Sequence, residues 1–182
     1  RAIKVVPATG ANDDSVAEYV ISAAMALLRP LASATTEMMT GAWPRTTTIG
    51  RELQGKTLGL VGFGSIARAT ASRARALGMR VGAFDPYVPA DDPAWFGTPR
   101  FEGLAHLMGT VDVVSLHVPL TDGTRHLINA EALAELHERA ILIDAARGGV
   151  VDEAALASAL KTGKLGGAAL DVFEVEPLTA AA

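Results

Sequence analysis

A chain of 182 residues has room for one well-buried domain and too little for two. Hydrophobic residues make up 49% of it and charged residues 20%, the balance of a globular protein and not of a disordered one. The net charge of −4 offers no basic face, so no nucleic-acid partner is expected, and the absence of cysteine excludes disulfides and thiolate metal sites. A cysteine-free composition also fits a cytoplasmic location.

In chain order, the sequence opens at Arg1 with neither Met nor a signal-peptide pattern, as expected of a fragment or a processed chain. Residues 3–6 read as a short strand ended by Pro7 and the turn residues 9–12. Ser15 with Glu18 three positions later predicts a helix start with a capping box. Val16, Val20, Ala23, Leu27 and Leu31 share one face of that helix, while Ile21 and Met25 make a second side apolar. Such a helix is buried on more than one side, either centrally in the domain or at a domain or subunit interface. Glu18, Ser22 and Arg29 interrupt its apolar run, which is too short and too polar for a membrane span; no membrane partner is expected.

Residues 35–55, with Gly41, Trp43-Pro44 and three consecutive threonines, read as a connector. From Lys56 strands and helices alternate: strands at 57–61, 80–84, 111–117, 140–144 and 167–172, helices at 65–77 (stopped by Gly78), 130–137 and 152–161. Near-continuous apolar strands joined by helices predict an α/β fold, a Rossmann-like doubly wound parallel sheet covered on both faces.

The chemistry-bearing residues collect where these strands end. Gly62-Phe63-Gly64-Ser65-Ile66-Ala67 forms G-x-G-x-x-A between a strand and a helix, as dinucleotide binding requires. Gly62 permits the tight turn, Gly64 lets a pyrophosphate approach the backbone, and the following helix N-terminus offers N–H groups to it. Asp85 lies 23 positions beyond Gly62, near the spacing of the acid that binds an adenosine ribose. With no Arg at the next two positions, NAD is favoured over NADP. His117-Val118-Pro119, Ala145-Ala146-Arg147 and the stretch from Asp171 to Glu176 each follow a predicted strand, the edge at which open parallel sheets bind ligands. Taken singly, Arg147 could be a surface ion pair and Glu176 a solvated loop acid. A guanidinium flanked by Gly148-Gly149 also suits a substrate carboxylate. His106, His126 and His137 show no metal-ligand spacing, and no metal is expected; the backbone of His117 and Val118 could line a cofactor cleft.

Taken together, Glu52-Leu53-Gln54-Gly55-Lys56-Thr57, the Gly62–Ala67 loop, Ser115-Leu116-His117-Val118-Pro119-Leu120-Thr121, residues 146–152 and residues 167–177 resemble the cofactor domain of the D-isomer-specific 2-hydroxyacid dehydrogenases. Residues 15–18 resemble the start of that family's long interdomain helix, which sits at a dimer interface and so implies a homodimer. The resemblance implies NAD as cofactor and hydride transfer at C2 of a small D-2-hydroxy or 2-keto acid. It also implies a role for each matched residue. Arg147 would bind the substrate carboxylate and carbonyl, and Glu176 would hydrogen-bond the catalytic histidine. Asp171 would lie near the nicotinamide carboxamide, Ser65 and Ile66 at the pyrophosphate, Asp85 at the ribose and Val118 near the adenosine. His117, Pro119, Ala145 and Ala146 would complete the cofactor contacts, with Arg147 beside them. Glu at 176 speaks against the formate dehydrogenase branch, which carries Gln there. The expected division is residues 1–14 as a remnant of a substrate domain, 15–177 as the cofactor domain and 178–182 as the start of a return to a substrate domain largely missing from the chain. The family's catalytic histidine lies downstream of the matched Glu-Pro, past Ala182, so the chain by itself is expected to be inactive. A non-catalytic dinucleotide sensor of the same fold, like the corepressors that share it, is the alternative. Asp144, where Asn is common, is a departure from the family pattern.

Overall fold

The computed structural model describes residues 3–46 and 48–178. Of the expected return segment only Leu178 is described; residues 179–182 lie outside the described residues. Five parallel strands form one sheet in the order β2-β1-β3-β4-β5: β1 (Thr57–Val61), β2 (Arg80–Phe84), β3 (Val113–Leu116), β4 (Ile141–Asp144) and β5 (Gly167–Leu170). The chain runs outward from β1 to β2, then returns across β1 to β3. The strand order therefore reverses between β1 and β3, and the loops leaving these two strands diverge to open a crevice.

Side chains alternate between the two faces as a pleated strand dictates. Leu58, Leu60, Val113, Ile141 and Ile143 pack toward α1 (Asp13–Leu28) and α3 (Ser65–Ala76). Val61, Val114, Leu116 and Leu142 pack on the other face, with α4 (Leu104–Met108), α5 (Ala130–Glu135) and α6 (Glu153–Lys161). With both faces covered, strand positions are mostly apolar, which is why these runs read as buried strands. Asn129 and Asp152 cap α5 and α6 by accepting the N–H of Ala132 and Ala155 (both 2.9 Å). Strand and helix ends otherwise fall within one or two residues of the expected ones.

The N-terminal third departs from expectation. Residues 3–6 form no strand; they are unpaired, with Ile3 and Val5 exposed, because β-forming side chains make a strand only beside a partner strand. The helix begins at Asp13, two residues early, and Ser15 makes no capping bond. Asp13 and Asp14 in the first turn complement the helix dipole instead, and Asp14 and Glu18 reach Arg73 of α3 at 2.8 and 3.7 Å. Of its second apolar side, Ile21 is buried within the domain while Met25 stays exposed. The segment read as a connector opens with the second half of α2 (Leu31–Met39), set off by Pro30 and bent 54° from α1. No residue of α2 is buried, and Thr35 and Thr36 return their hydroxyls to carbonyls one turn back, so its signal in sequence is faint. The short α4 and a single turn of 3-10 helix at Pro93–Trp95 were unexpected for a similar reason: neither is long enough to display a period. No single helix among the described residues is long and apolar enough to cross a membrane.

Candidate active site

Gly62 ends β1 with φ +89°, a conformation that L side chains avoid, and a Cβ there would stand 2.6 Å from the His117 carbonyl oxygen. The turn is tied on both sides, Gly62 N–H to Phe84 O (2.8 Å) and His117 N–H to Val61 O (2.7 Å). At Gly64 the situation is reversed: a Cβ would meet nothing within 4 Å, so the backbone faces open space where α3 begins. Gly64 is the N-cap and makes no side-chain cap bond, which leaves first-turn N–H groups of this 12-residue helix for an anion. Ala67 is fully buried in the core beside the sheet, where a methyl group fits.

Asp85 leaves β2 beside this loop. One carboxylate oxygen accepts the Phe63 N–H (2.8 Å) and the other the Tyr87 N–H (2.9 Å). A carboxylate has about four acceptor positions, so two remain for ribose hydroxyls. Asp85 borders a cavity of about 400 Å³ whose walls include Gly62, Phe84, Val118, Pro119 and Leu127, and no Lys or Arg lines it. The open space at Gly64, the uncapped helix start and this cavity fit a dinucleotide.

A second cavity, of about 200 Å³, shares His117, Val118 and Pro119 with the first and continues along the sheet edge. Its other lining residues are Asn12, Val16, Ile66, Ala145, Ala146 and Arg147. Burial holds the His117 imidazole down to about 4, and its Nε2 lies 3.0 Å from the Ser115 hydroxyl; it is a neutral ring near pH 7. Arg147 is therefore the one cation among the lining residues, its Nη1 donating to its own neighbour's carbonyl, Ala146 O, at 2.6 Å. Beneath it Asp144 is buried and accepts the Ala146 N–H at 2.9 Å. Burial raises its carboxyl to about 6, with Glu153 adding to the effect and the N–H groups of Ala146 and Arg147 opposing it.

Asp171 continues the ladder past β5, donating its N–H to Asp144 O (2.9 Å). Its charge, after burial, helps raise the Tyr19 phenol of α1, as does that of Asp144. The loop beyond lies on the Arg147-Gly148 turn so closely that a Cβ on Gly148 would overlap the Phe173 carbonyl oxygen, 1.9 Å away. Gly62, Ile66, Asp85, His117, Val118, Pro119, Ala145, Ala146 and Arg147 thus line the two cavities, whereas Gly64, Ser65, Asp171 and Glu176 are not among the lining residues. The resemblance assigns Glu176 a bond to a catalytic histidine. Its carboxylate instead accepts the Phe173 N–H of its own loop (3.0 Å), a local bond that an exposed acid three residues away makes readily. Asn12 and Val16 were missed, because only the packing of α1 brings its first turn to the sheet edge. Among the described residues no group of three or more His, Asp or Glu could hold a metal ion.

Residues 21–182 match the family model for the D-isomer specific 2-hydroxyacid dehydrogenase, NAD binding domain. The (S)-sulfolactate dehydrogenase of Chromohalobacter salexigens is 57% identical over 178 residues, 98% of this chain and 58% of its own length. The hydroxypyruvate reductase of Thermotoga maritima is 44% identical over 180 residues, 98% of this chain and 57% of its own. The crystal structure of the TT0316 protein from Thermus thermophilus superimposes with a TM-score of 0.88 at 39% identity, covering 99% of this chain and 57% of that one. The chain therefore spans just over half the length of each.

Two outcomes follow from the geometry. Calorimetric titration of the chain should show NADH binding more tightly than NADPH by about tenfold or more, with Asp85→Ala narrowing the gap; equal affinities in the unaltered chain would contradict the role given to Asp85. The second concerns stability against pH. His117 falls from its ordinary 6.5 to about 4 on folding, so its contribution rises with pH through that window. Asp144 climbs from 3.8 to about 6, so the folded state holds the extra proton there and its contribution falls with rising pH. The two oppose each other. Asp144→Asn leaves His117 alone, and urea midpoints should then rise more steeply between about pH 4 and 6.5 than in the unaltered chain. Equal slopes would count against the assignment.

Proposed function

The chain belongs to the D-isomer specific 2-hydroxyacid dehydrogenases as their NAD-binding domain, and from that premise we propose that the protein transfers a hydride between the nicotinamide and C2 of a small D-2-hydroxy acid or its 2-keto form. The observation that carries this reading is Arg147, a lone cation on the wall of the small cavity that adjoins the dinucleotide-sized cleft. A guanidinium there can hold a substrate carboxylate through two parallel hydrogen bonds and polarise the neighbouring carbonyl. Its present bond to Ala146 O leaves its remaining N–H groups free to do so.

NAD, when bound, supplies the hydride acceptor and donor. In our reading the first-turn N–H groups at Ser65 and Ile66 take the pyrophosphate and Asp85 the ribose hydroxyls. Val118 and Pro119 wall the adenosine, and Asp171 accepts from the carboxamide. Ala145 and Ala146 keep the nicotinamide end of the cleft small and apolar. A neutral His117 leaves the pocket's positive charge to Arg147, so the substrate carboxylate has one place to bind. Glu176 stabilises the protonated form of an acid–base histidine that belongs to the complete enzyme. None of this chain's four histidines fills that position: His106 packs edge-on against Phe101, His117 meets Ser115, His126 meets Glu174 and His137 lies near Asp112. The named activities of the relatives make sulfolactate and hydroxypyruvate the first compounds to assay.

We further propose that the protein is a homodimer joined through α1 and α2. Met25 and Leu31 line an apolar groove of about 820 Å³ between these helices, and Met38 and Met39 farther along α2 are exposed as well.

With NADH and a panel of 2-keto acids, the complete enzyme should turn over at least one member, and Arg147→Ala should lower kcat/KM by about 10²–10³-fold. The chain alone should show only background, for want of its acid–base group. Substantial turnover by the chain alone, or an Arg147→Ala enzyme of undiminished kcat/KM, would sink the assignment. For the dimer, sedimentation should give a two-chain species that Leu31→Glu splits; a monomer at high concentration would contradict it.

A further inference from the structure

We infer that Glu174 is a positioning residue that clasps the loop 171–177 to α6 and so sets where Glu176 stands. This rests on the role proposed for Glu176 above. The loop follows β5 with no regular structure of its own, and Asp171, Glu174, Val175, Glu176 and Pro177 are all exposed. Such a segment has few buried contacts to hold it and would ordinarily fray.

Glu174 supplies the missing fixture. Its Oε1 accepts the N–H of Glu153, the first residue of α6, at 3.2 Å, and lies 3.1 Å from Nε2 of His126. In return, Oε1 of Glu153 accepts the Glu174 N–H at 2.5 Å. Two neighbouring carboxylates would repel each other in isolation. Here each is turned onto the other's backbone N–H, both stand at a helix N-terminus whose dipole favours negative charge, and His126 adds a third donor. His126 is itself fixed in a left-handed conformation, φ 49°, with its N–H on Gly149 O (2.8 Å). Strained non-glycine backbone of this kind persists only where the surroundings hold it.

The clasp is one residue from the contact that matters. Phe173, beside Glu174, carries its carbonyl over Gly148, next to Arg147, and gives its N–H to the Glu176 carboxylate. The start of α6, Glu174, Phe173 and Glu176 therefore form a continuous chain that ends at the acid assigned to the reaction. The two loops bearing Arg147 and Glu176 are held in register by it.

The test has two parts. In the chain itself, Glu174→Ala should speed amide hydrogen exchange at Phe173 by about tenfold or more while amides of β1 and β3 keep their protection; unchanged exchange at Phe173 would overturn the inference. In the complete enzyme, Glu174→Ala should lower kcat by about tenfold, leave KM for NADH alone, and displace the same limb of the pH profile that Glu176→Gln displaces. Glu174→Gln keeps an oxygen for the Glu153 N–H and should recover most of the loss. The double variant Glu174→Ala/Glu176→Gln should be no worse than Glu176→Gln alone, because both act through one group. Additive losses would assign Glu174 a separate structural role and overturn the inference. A Glu176→Gln enzyme with an unaltered profile would instead remove the role proposed for Glu176, and the exchange measurement would still decide whether Glu174 holds the loop.

Discussion

At Gly62 the backbone turns with φ +89° directly under the His117 carbonyl, and the rest of the site depends on that close approach. It allows the loops leaving β1 and β3 to touch before they diverge. Any Cβ at this point would push the His117–Pro119 segment away, closing the space that both cavities share and moving the start of α3 relative to Asp85. The bond from Phe63 N–H to Asp85 carries the same constraint sideways to β2. Three adjacent strands thus deliver their ends to one place, and an uncapped helix start, the Asp85 carboxylate and an apolar wall come together without any long side chain having to reach.

The opposite half of the edge, at β4 and β5, is governed by a balance of charges. Arg147 is the exposed cation, and it stands above a buried acid, Asp144, near Asp171, Glu153 and the Tyr19 phenol. Burial keeps the His117 ring neutral, and Asp144 is buried and not among the residues lining the small cavity, so the guanidinium is the dominant charge facing it. That is the electrostatic condition for receiving a carboxylate. Gly148 then lets the loop bearing Glu176 settle against the same turn, so the two halves of the proposed chemistry share a backbone contact.

Much of this was legible in sequence because the determinants are local. Strands buried on both faces announce themselves as near-continuous apolar runs, and the glycine fingerprint, the acid 23 residues on and the Ala-Ala-Arg-Gly-Gly segment are each contiguous or regularly spaced. What was not legible depends on three-dimensional packing or on competing partners. The β-forming residues 3–6 have no strand to pair with, and Glu18 prefers Arg73 to the capping box it was expected to complete. Val16 and Asn12 reach the cleft only because α1 packs across β4 and β5. The Glu176 carboxylate turns to a neighbouring N–H, a choice that spacing cannot reveal. The depression of His117 requires the strands around it to be in place, and the reciprocal bonds of Glu153 and Glu174 join residues 21 positions apart with no pattern to connect them.

That the crevice between β1, β3 and β4 is where the dinucleotide binds is tested most directly by following backbone amide shifts in the isotope-labelled chain during titration with NADH. The shifts should concentrate at Gly62, Gly64, Ser65, Ile66, Asp85, Val118, Ala145, Ala146 and Asp171, and should leave the groove between α1 and α2 unmoved. Shifts that instead cluster around Met25, Leu31 and Leu53, with the glycine loop silent, would contradict the placement of the cofactor and everything built upon it.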